Sequence, residues 1–272
     1  MGAYNSREKI VAHYDFVSPF YNELWGEHLH HGYWRTGEET KEDAQEALVD
    51  QLAQAAPITR GTKVLDVGCG VGGSSIHLAR RYGAESTGIT ISPVQVQMAR
   101  TAADRAGVNV RFLLMDAQAI TLSERFDLVF SIESVSHYEN KGAFFRRLPG
   151  LVHHTGRVVL IDWFKHDDLS AAEYRKYIVP IEKGMLVELH PIADYVALLE
   201  ANGLAVERTE DMSEHTARTW QLALDILNGD SSLWAIARNH SAELVYFLRA
   251  FRAMRAAFRA RKLVYGMIVA RP

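Results

Sequence analysis

Residues 64–73 read Val64-Leu65-Asp66-Val67-Gly68-Cys69-Gly70-Val71-Gly72-Gly73. An apolar run carries an acid, and four glycines follow within six residues. This is a strand entering a tight turn, where glycine lets the chain bend and a ligand approach the bare backbone. The amphipathic stretch Ser74 to Tyr82 then predicts a helix. Dinucleotide enzymes use a similar strand, turn and helix with the spacing G-x-G-x-x-G. Here the third glycine arrives sooner, and Asp66 would repel a pyrophosphate. A carboxylate at this point suits a cationic, amino-acid-like ligand.

The same alternation continues outward. Strands are predicted at Ser86–Ile91, Val110–Leu114, Phe126–Ser131 and Gly156–Asp162, with a helix from Pro93 to Ala106. Pro93 suits a first helical turn, where its missing N–H costs little. Apolar strands separated by helices predict a parallel sheet with right-handed crossovers. Upstream, Thr40 is the expected N-cap of a helix over 41–56, broken after it by Pro57 and Gly61. Downstream, 163–190 reads as a loop and helix, and Pro191–Asn202 as a helix ended by Gly203. Leu204–Arg208 is a strand, 213–261 mostly helical, and Leu263–Ala270 a closing strand. The expected fold is a doubly wound, Rossmann-like α/β domain with a seven-stranded sheet. Residues 1–60 form a helical lid, 61–165 the core, and 166–272 the remaining core with a helical cap inserted before the last strand.

Composition sets the outer limits. With 272 residues, 48% hydrophobic and 23% charged, the chain has a globular balance that excludes disorder, collagen and coiled coil. A formal charge of −3 gives no overall basic field for nucleic acid. A lone cysteine, Cys69, excludes a disulfide framework and a cysteine-based zinc site. No apolar run reaches the ~20 residues of a membrane span. The polar start Met1–Lys9 lacks the core of a secretory signal. Met1-Gly2-Ala3-Tyr4-Asn5-Ser6 fits the loose myristoylation pattern, which is read as a chance match. The expectation is a cytoplasmic protein without metal, acting on a small molecule and capable of self-association through its N-terminal segment or cap.

The glycine turn resembles the cofactor turn of class I S-adenosylmethionine (SAM) methyltransferases. Many of these place an acid near the end of strand two, where this chain reads Gly88-Ile89-Thr90-Ile91-Ser92-Pro93-Val94-Gln95. That departure is similar to the γ-tocopherol, sterol, rebeccamycin-type and cyclopropane-synthase-like group. By the resemblance, Asp66, Gly68 and Gly70 hold the amino-acid end of SAM, while Thr90, Ile91 and Gln95 contact ribose and adenine. In Met115-Asp116-Ala117-Gln118, Asp116 accepts from the adenine amine, and Ala117 and Ile132 complete the contacts. The segment Trp25-Gly26-Glu27-His28-Leu29-His30-His31-Gly32-Tyr33-Trp34 also resembles that group. It implies a lid that brings Tyr14 and His30 near the methionine carboxylate. Three histidines within four residues offer metal-type ligands, but no ordered carboxylate partner accompanies them.

For the acceptor, the resemblance places His137, in Ser131-Ile132-Glu133-Ser134-Val135-Ser136-His137-Tyr138, beside the transferable methyl group. It is read there as either a base or a neutral positioning group. Asp162, at the end of strand five, either orients that histidine, takes a proton or caps a neighbouring turn. His166-Asp167-Asp168 is read as an exposed loop. Tyr21, Trp25, Tyr33, Trp34, Tyr138 and Trp163 offer faces to a carbocation, and Tyr21 is the first choice for touching substrate. Terpenoid C-methyltransferases, including the teleocidin methyltransferase–cyclase type, are similar overall. The expected reaction is C-methylation of a terpenoid or prenylated acceptor, with O-methylation of an aromatic or glycosylated metabolite as the alternative. A dehydrogenase or a non-catalytic SAM-binding scaffold are the readings from other classes. Finally, Arg249, Arg252, Arg255 and Arg259 lie on one helical face. They form a solvated face, an anion site or a membrane-surface patch.

Overall fold

The computed structural model describes residues 5–230 and 232–272, so the first four residues of the myristoylation match lie outside the described residues. Strands β1 (Lys63–Val67), β2 (Glu85–Thr90), β3 (Arg111–Leu114), β4 (Phe126–Ile132), β5 (Val152–Lys165), β6 (Ala205–Asp211) and β7 (Leu263–Arg271) build one sheet. Its order is β3-β2-β1-β4-β5-β7-β6. The first five strands pair in parallel, with Asp66 opposite Gly88 on one side and Phe130 on the other.

The closing strand departs from the parallel expectation: β7 runs antiparallel to both β5 and β6. The reason lies in the connection before it. An antiparallel strand begins at the sheet edge where its predecessor ended. The long helical insertion between β6 and β7 therefore stays above one edge of the sheet.

The helices are α1 (Arg7–Trp25), α2 (Lys41–Ala55), α3 (Gly73–Tyr82), α4 (Pro93–Ala106), α5 (Lys141–Phe145) and α6 (Leu148–Leu151). They continue with α7 (Ala171–Glu173), α8 (Val179–Met185), α9 (Ile192–Ala201), α10 (Ser213–Thr216), α11 (Arg218–Gly229), α12 (Ser232–His240) and α13 (Ala242–Arg259). Local chemistry sets several ends. Thr40 Oγ1 accepts from the Asp43 amide at 3.1 Å, and Ser92 Oγ from the Gln95 amide at 3.0 Å with Pro93 opening the helix. Among the described residues no helix is long and apolar enough to cross a membrane.

Strand alternation divides the core between the two faces of the sheet. Val64, Leu128, Phe130, Val159 and Ile161 face α2, α3 and the cap. Leu65, Val67, Val129, Val158 and Leu160 face α5, α6 and α9. The cap helices α11 and α13 place Trp220, Leu224, Phe251 and Met254 in the same cluster as Tyr265 and Met267 of β7. Cap and sheet thus share one core.

Candidate active site

The carboxyl ends of β1 to β5, roofed by α1 and the cap, enclose one cavity. Tyr14, Tyr21, His30, Asp66, Gly68, Gly70, Thr90, Ile91, Gln95, Asp116, Ala117, Ile132 and His137 all line it. Asp162 does not.

At the glycine end, Gly68 has φ +83°, and a Cβ there would lie 1.9 Å from Ser134 Oγ. Only glycine fits both the left-handed conformation and the close approach. Asp66 is 2% exposed, and its Oδ2 accepts from Ser75 Oγ at 2.7 Å. Burial pushes its carboxyl up to about 7, opposed by hydrogen bonds from Ser75. A buried carboxyl of this kind, beside open backbone, is well matched to a cationic amino-acid group.

The expected ribose and adenine residues are tied to the lid. Thr90 Oγ1 donates to Gln95 Oε1 at 2.7 Å, and Gln95 Nε2 donates to Ser18 Oγ of α1 at 3.1 Å. Asp116 Oδ1 accepts from the Gln118 amide at 2.8 Å, and Oδ2 from Arg7 Nε at 3.1 Å. Ser92 Oγ donates to Asp15 of the same helix.

The lid histidines are bonded into the structure and shielded from water. His30 Nδ1 donates to the His31 carbonyl at 2.8 Å, and its Nε2 lies 3.1 Å from Ser74 Oγ. Burial lowers the pKa of both His28 and His30. Among the described residues no three His, Cys, Asp or Glu side chains are grouped to hold a metal ion.

His137 donates from Nδ1 to the Leu186 carbonyl at 3.0 Å, and its Nε2 accepts from Tyr14 Oη at 2.9 Å. Burial, aided by the Lys141 charge, lowers it to about 4 against the Leu186 bond and the Glu133 charge. The ring is neutral and its lone pair is already taken. Asp162 accepts from the amides of Ser136 and Trp163, each at 2.8 Å, and braces the turn that carries His137 without touching its ring. Tyr21 packs 6.1 Å from Trp25 and 6.3 Å from Phe247 between ring centroids. Trp25, Tyr138 and Trp163 also line the cavity, whereas Tyr33 and Trp34 do not. The arginines of α13 line neither this cavity nor its neighbour, and His166, Asp167 and Asp168 are exposed.

Sequence reasoning assigned no role to one buried acid in the cavity. Glu133, just beyond β4, has φ +50°. Its Oε1 accepts from the His31 amide at 2.7 Å, His31 Nδ1 at 2.9 Å and Tyr265 Oη at 2.7 Å. Burial alone would raise Glu133, but electrostatic attraction to His31 and His30 and the bonds from His31 hold it below the ordinary carboxylate range. An acid at the end of a strand facing the crevice was the available signal. Nothing in the sequence pointed to Tyr265, 132 residues away.

A family model of mycolic acid cyclopropane synthetase matches residues 3–265. The chain belongs to the mycolic acid cyclopropane synthetase family. It is a SAM-dependent methyltransferase. Among the family's relatives, tocopherol O-methyltransferase of Arabidopsis thaliana is 32% identical over 238 residues, spanning 79% of this chain and 68% of its own. The 27-O-demethylrifamycin SV methyltransferase of Amycolatopsis mediterranei is 33% identical over 220 residues, spanning 79% and 80%. A mycolic acid cyclopropane synthase complexed with SAH and CTAB shares the fold at TM-score 0.86 and 21% identity, covering 97% of each chain. Geranyl diphosphate C-methyltransferase from Streptomyces coelicolor A3(2) shares it at TM-score 0.75 and 17% identity, covering 99% of this chain and 98% of its own.

Proposed function

We propose that this methyltransferase acts on a small, largely apolar natural product of terpenoid or prenylated type. One observation carries the reading. The cavity's outer walls, Val17, Tyr21, Trp25, Ala223 and Phe247, also line a second, almost wholly apolar groove. That groove runs between α1 and α11–α13 past Phe16, Ile226, Leu233 and Leu248. An elongated apolar group seated there leaves its other end in the cavity. The relatives named for tocopherol and demethylrifamycin, and the fold neighbour named for geranyl diphosphate, support an acceptor of this kind.

Bound SAM supplies an electrophilic methyl group on a sulfonium. The residues that would hold it are Asp66, Gly68 and Gly70 at the amino-acid end, with Thr90, Ile91 and Gln95 toward ribose. Asp116 and Ala117 would hold adenine, and Ile132 would form part of the wall. Tyr14, His30 and His137 close the lid over them. His137 serves as the acceptor of the Tyr14 bond rather than as a free base, and Asp162 as its structural brace. Alignment of the acceptor against the methyl carbon is the main catalytic contribution.

Carbon as the acceptor atom is favoured by the aromatic faces of Tyr21, Trp25, Trp163 and Trp220, which stabilise positive charge. Oxygen is favoured by a different feature, the unpartnered Nε2 of His31. Geranylhydroquinone contains both kinds of nucleophile, so labelled SAM and product NMR distinguish them. Geranylhydroquinone should exceed catechol in kcat/KM by roughly tenfold or more, given the apolar groove. A preference for catechol would overturn the apolar-acceptor reading.

A further inference from the structure

Three buried ring nitrogens around the cavity have no hydrogen-bond partner: His31 Nε2, Trp163 Nε1 and Trp220 Nε1. Their rings form one cluster. The His31 centroid lies 5.8 Å from Trp163 and 5.0 Å from Trp220, and the two indoles are 6.3 Å apart. Unpaired buried polar groups are rare, because each forfeits its solvation without recovering a bond.

The geometry fixes what each nitrogen offers. A carboxylate can only accept, so His31 Nδ1 carries the hydrogen that faces Glu133. A ring holding that one hydrogen offers a lone pair at Nε2, while each indole offers an N–H. Tyr265 clamps the arrangement twice. Its hydroxyl donates to the same Glu133 oxygen at 2.7 Å, and its ring stacks on His31 at 4.5 Å. Glu133 holds a left-handed backbone at this position, a conformation that is strained in a residue other than glycine. A base whose tautomer is set by a carboxylate is the general arrangement for removing a proton from a nucleophile.

We propose that His31 Nε2 takes the proton of an acceptor hydroxyl, with Glu133 as its positioning residue and the indole N–H groups of Trp163 and Trp220 on the hydroxyl oxygen. This rests on the oxygen reading above. The hydroxyl proton passes to Nε2 as an oxygen lone pair forms the O–CH3 bond. The S–CH3 bond breaks with its electron pair staying on sulfur. The products are a methyl ether, S-adenosylhomocysteine and an imidazolium neutralised by Glu133, which later releases its proton to water. The niche therefore selects acceptors that carry a hydroxyl at the end opposite their apolar tail.

Two measurements on the full chain test this. With geranylhydroquinone and SAM, His31→Asn should lower kcat by about 10²–10⁴ at neutral pH. The loss should shrink as pH rises and the hydroquinone ionises without help. Glu133→Gln should lose less, with the same pH trend. Independently of turnover, 4-nitrophenol is added to each protein saturated with S-adenosylhomocysteine. At a pH where free 4-nitrophenol is protonated, wild type should show the phenolate absorption band and His31→Asn should not, with S-adenosylhomocysteine affinity unchanged. Equal bands in both proteins overturn the proposal whatever product forms. A wild-type kcat and pH profile in His31→Asn also overturns it, as a buried water joining the three nitrogens would predict. A carbon-methylated product would end the oxygen reading alone. Loss of the band in His31→Asn would still support His31 as the proton acceptor.

Discussion

At the scale of single residues, Asp66 shows how burial and ligand chemistry meet. Its carboxyl is pushed up to about 7 by desolvation, well above the ~3.9 of an unfolded aspartate. The sign follows: its contribution to stability is full below about pH 4 and is lost as pH rises through about 7. A cationic group brought beside it reverses that shift, so SAM binding should release a proton near neutrality. SAM affinity should rise between about pH 6 and 8, and calorimetry in two buffers of different ionisation heat reads the released proton. Asp66→Asn should abolish the release and weaken SAM roughly tenfold or more; an unchanged proton count would separate Asp66 from the cofactor. This residue was legible in the sequence because its meaning is local, an acid directly before a glycine turn. His31 and Glu133 were visible there only as letters. Their pairing is 102 positions long, and no pattern of spacing encodes it.

Among the elements, α1 was expected only as part of a helical lid over residues 1–60, without its bounds, and it runs through Pro19. Ile10, Tyr14, Val17, Tyr21 and Trp25 recur at helical spacing, and Ile10, Val17 and Trp25 are buried. Packing against the cap outweighed the local cost of the proline, as tertiary contacts commonly outweigh propensity. The helix is latched to the sheet by side chains on its inner face, among them Ser18 to Gln95 and Tyr14 to His137. Tyr14→Phe removes the donor and leaves His137 Nε2 unpaired. It should cost about 1–3 kcal/mol, seen as a lower urea midpoint at constant m. No change in midpoint would mean that water replaces the bond. By contrast α4 begins at Pro93 as expected, because a capping serine and an N-terminal proline are local signals.

On the proposed assignment the whole molecule separates cofactor from acceptor. The cofactor end would be drawn mainly from turns between residues 66 and 118, and the acceptor end from α1, β5, β7 and the cap. Changes at one end should therefore leave the other largely intact. Phe247 lines both the cavity and the apolar groove. Phe247→Ala should raise the KM for geranylhydroquinone roughly tenfold while SAM affinity stays within about twofold. A matching loss in both would show that α13 supports the cofactor end too. The sequence by itself determined the strand-turn-helix core and its cofactor class. Periodicity, capping and glycine turns act over a few residues and are written in consecutive letters. Only the tertiary structure decided the reversed β7, the removal of Asp162 from the cavity and the meeting of His31, Glu133 and Tyr265. Those depend on contacts between segments far apart in the chain, where burial and unpaired hydrogen bonds, rather than local propensity, set the free energy.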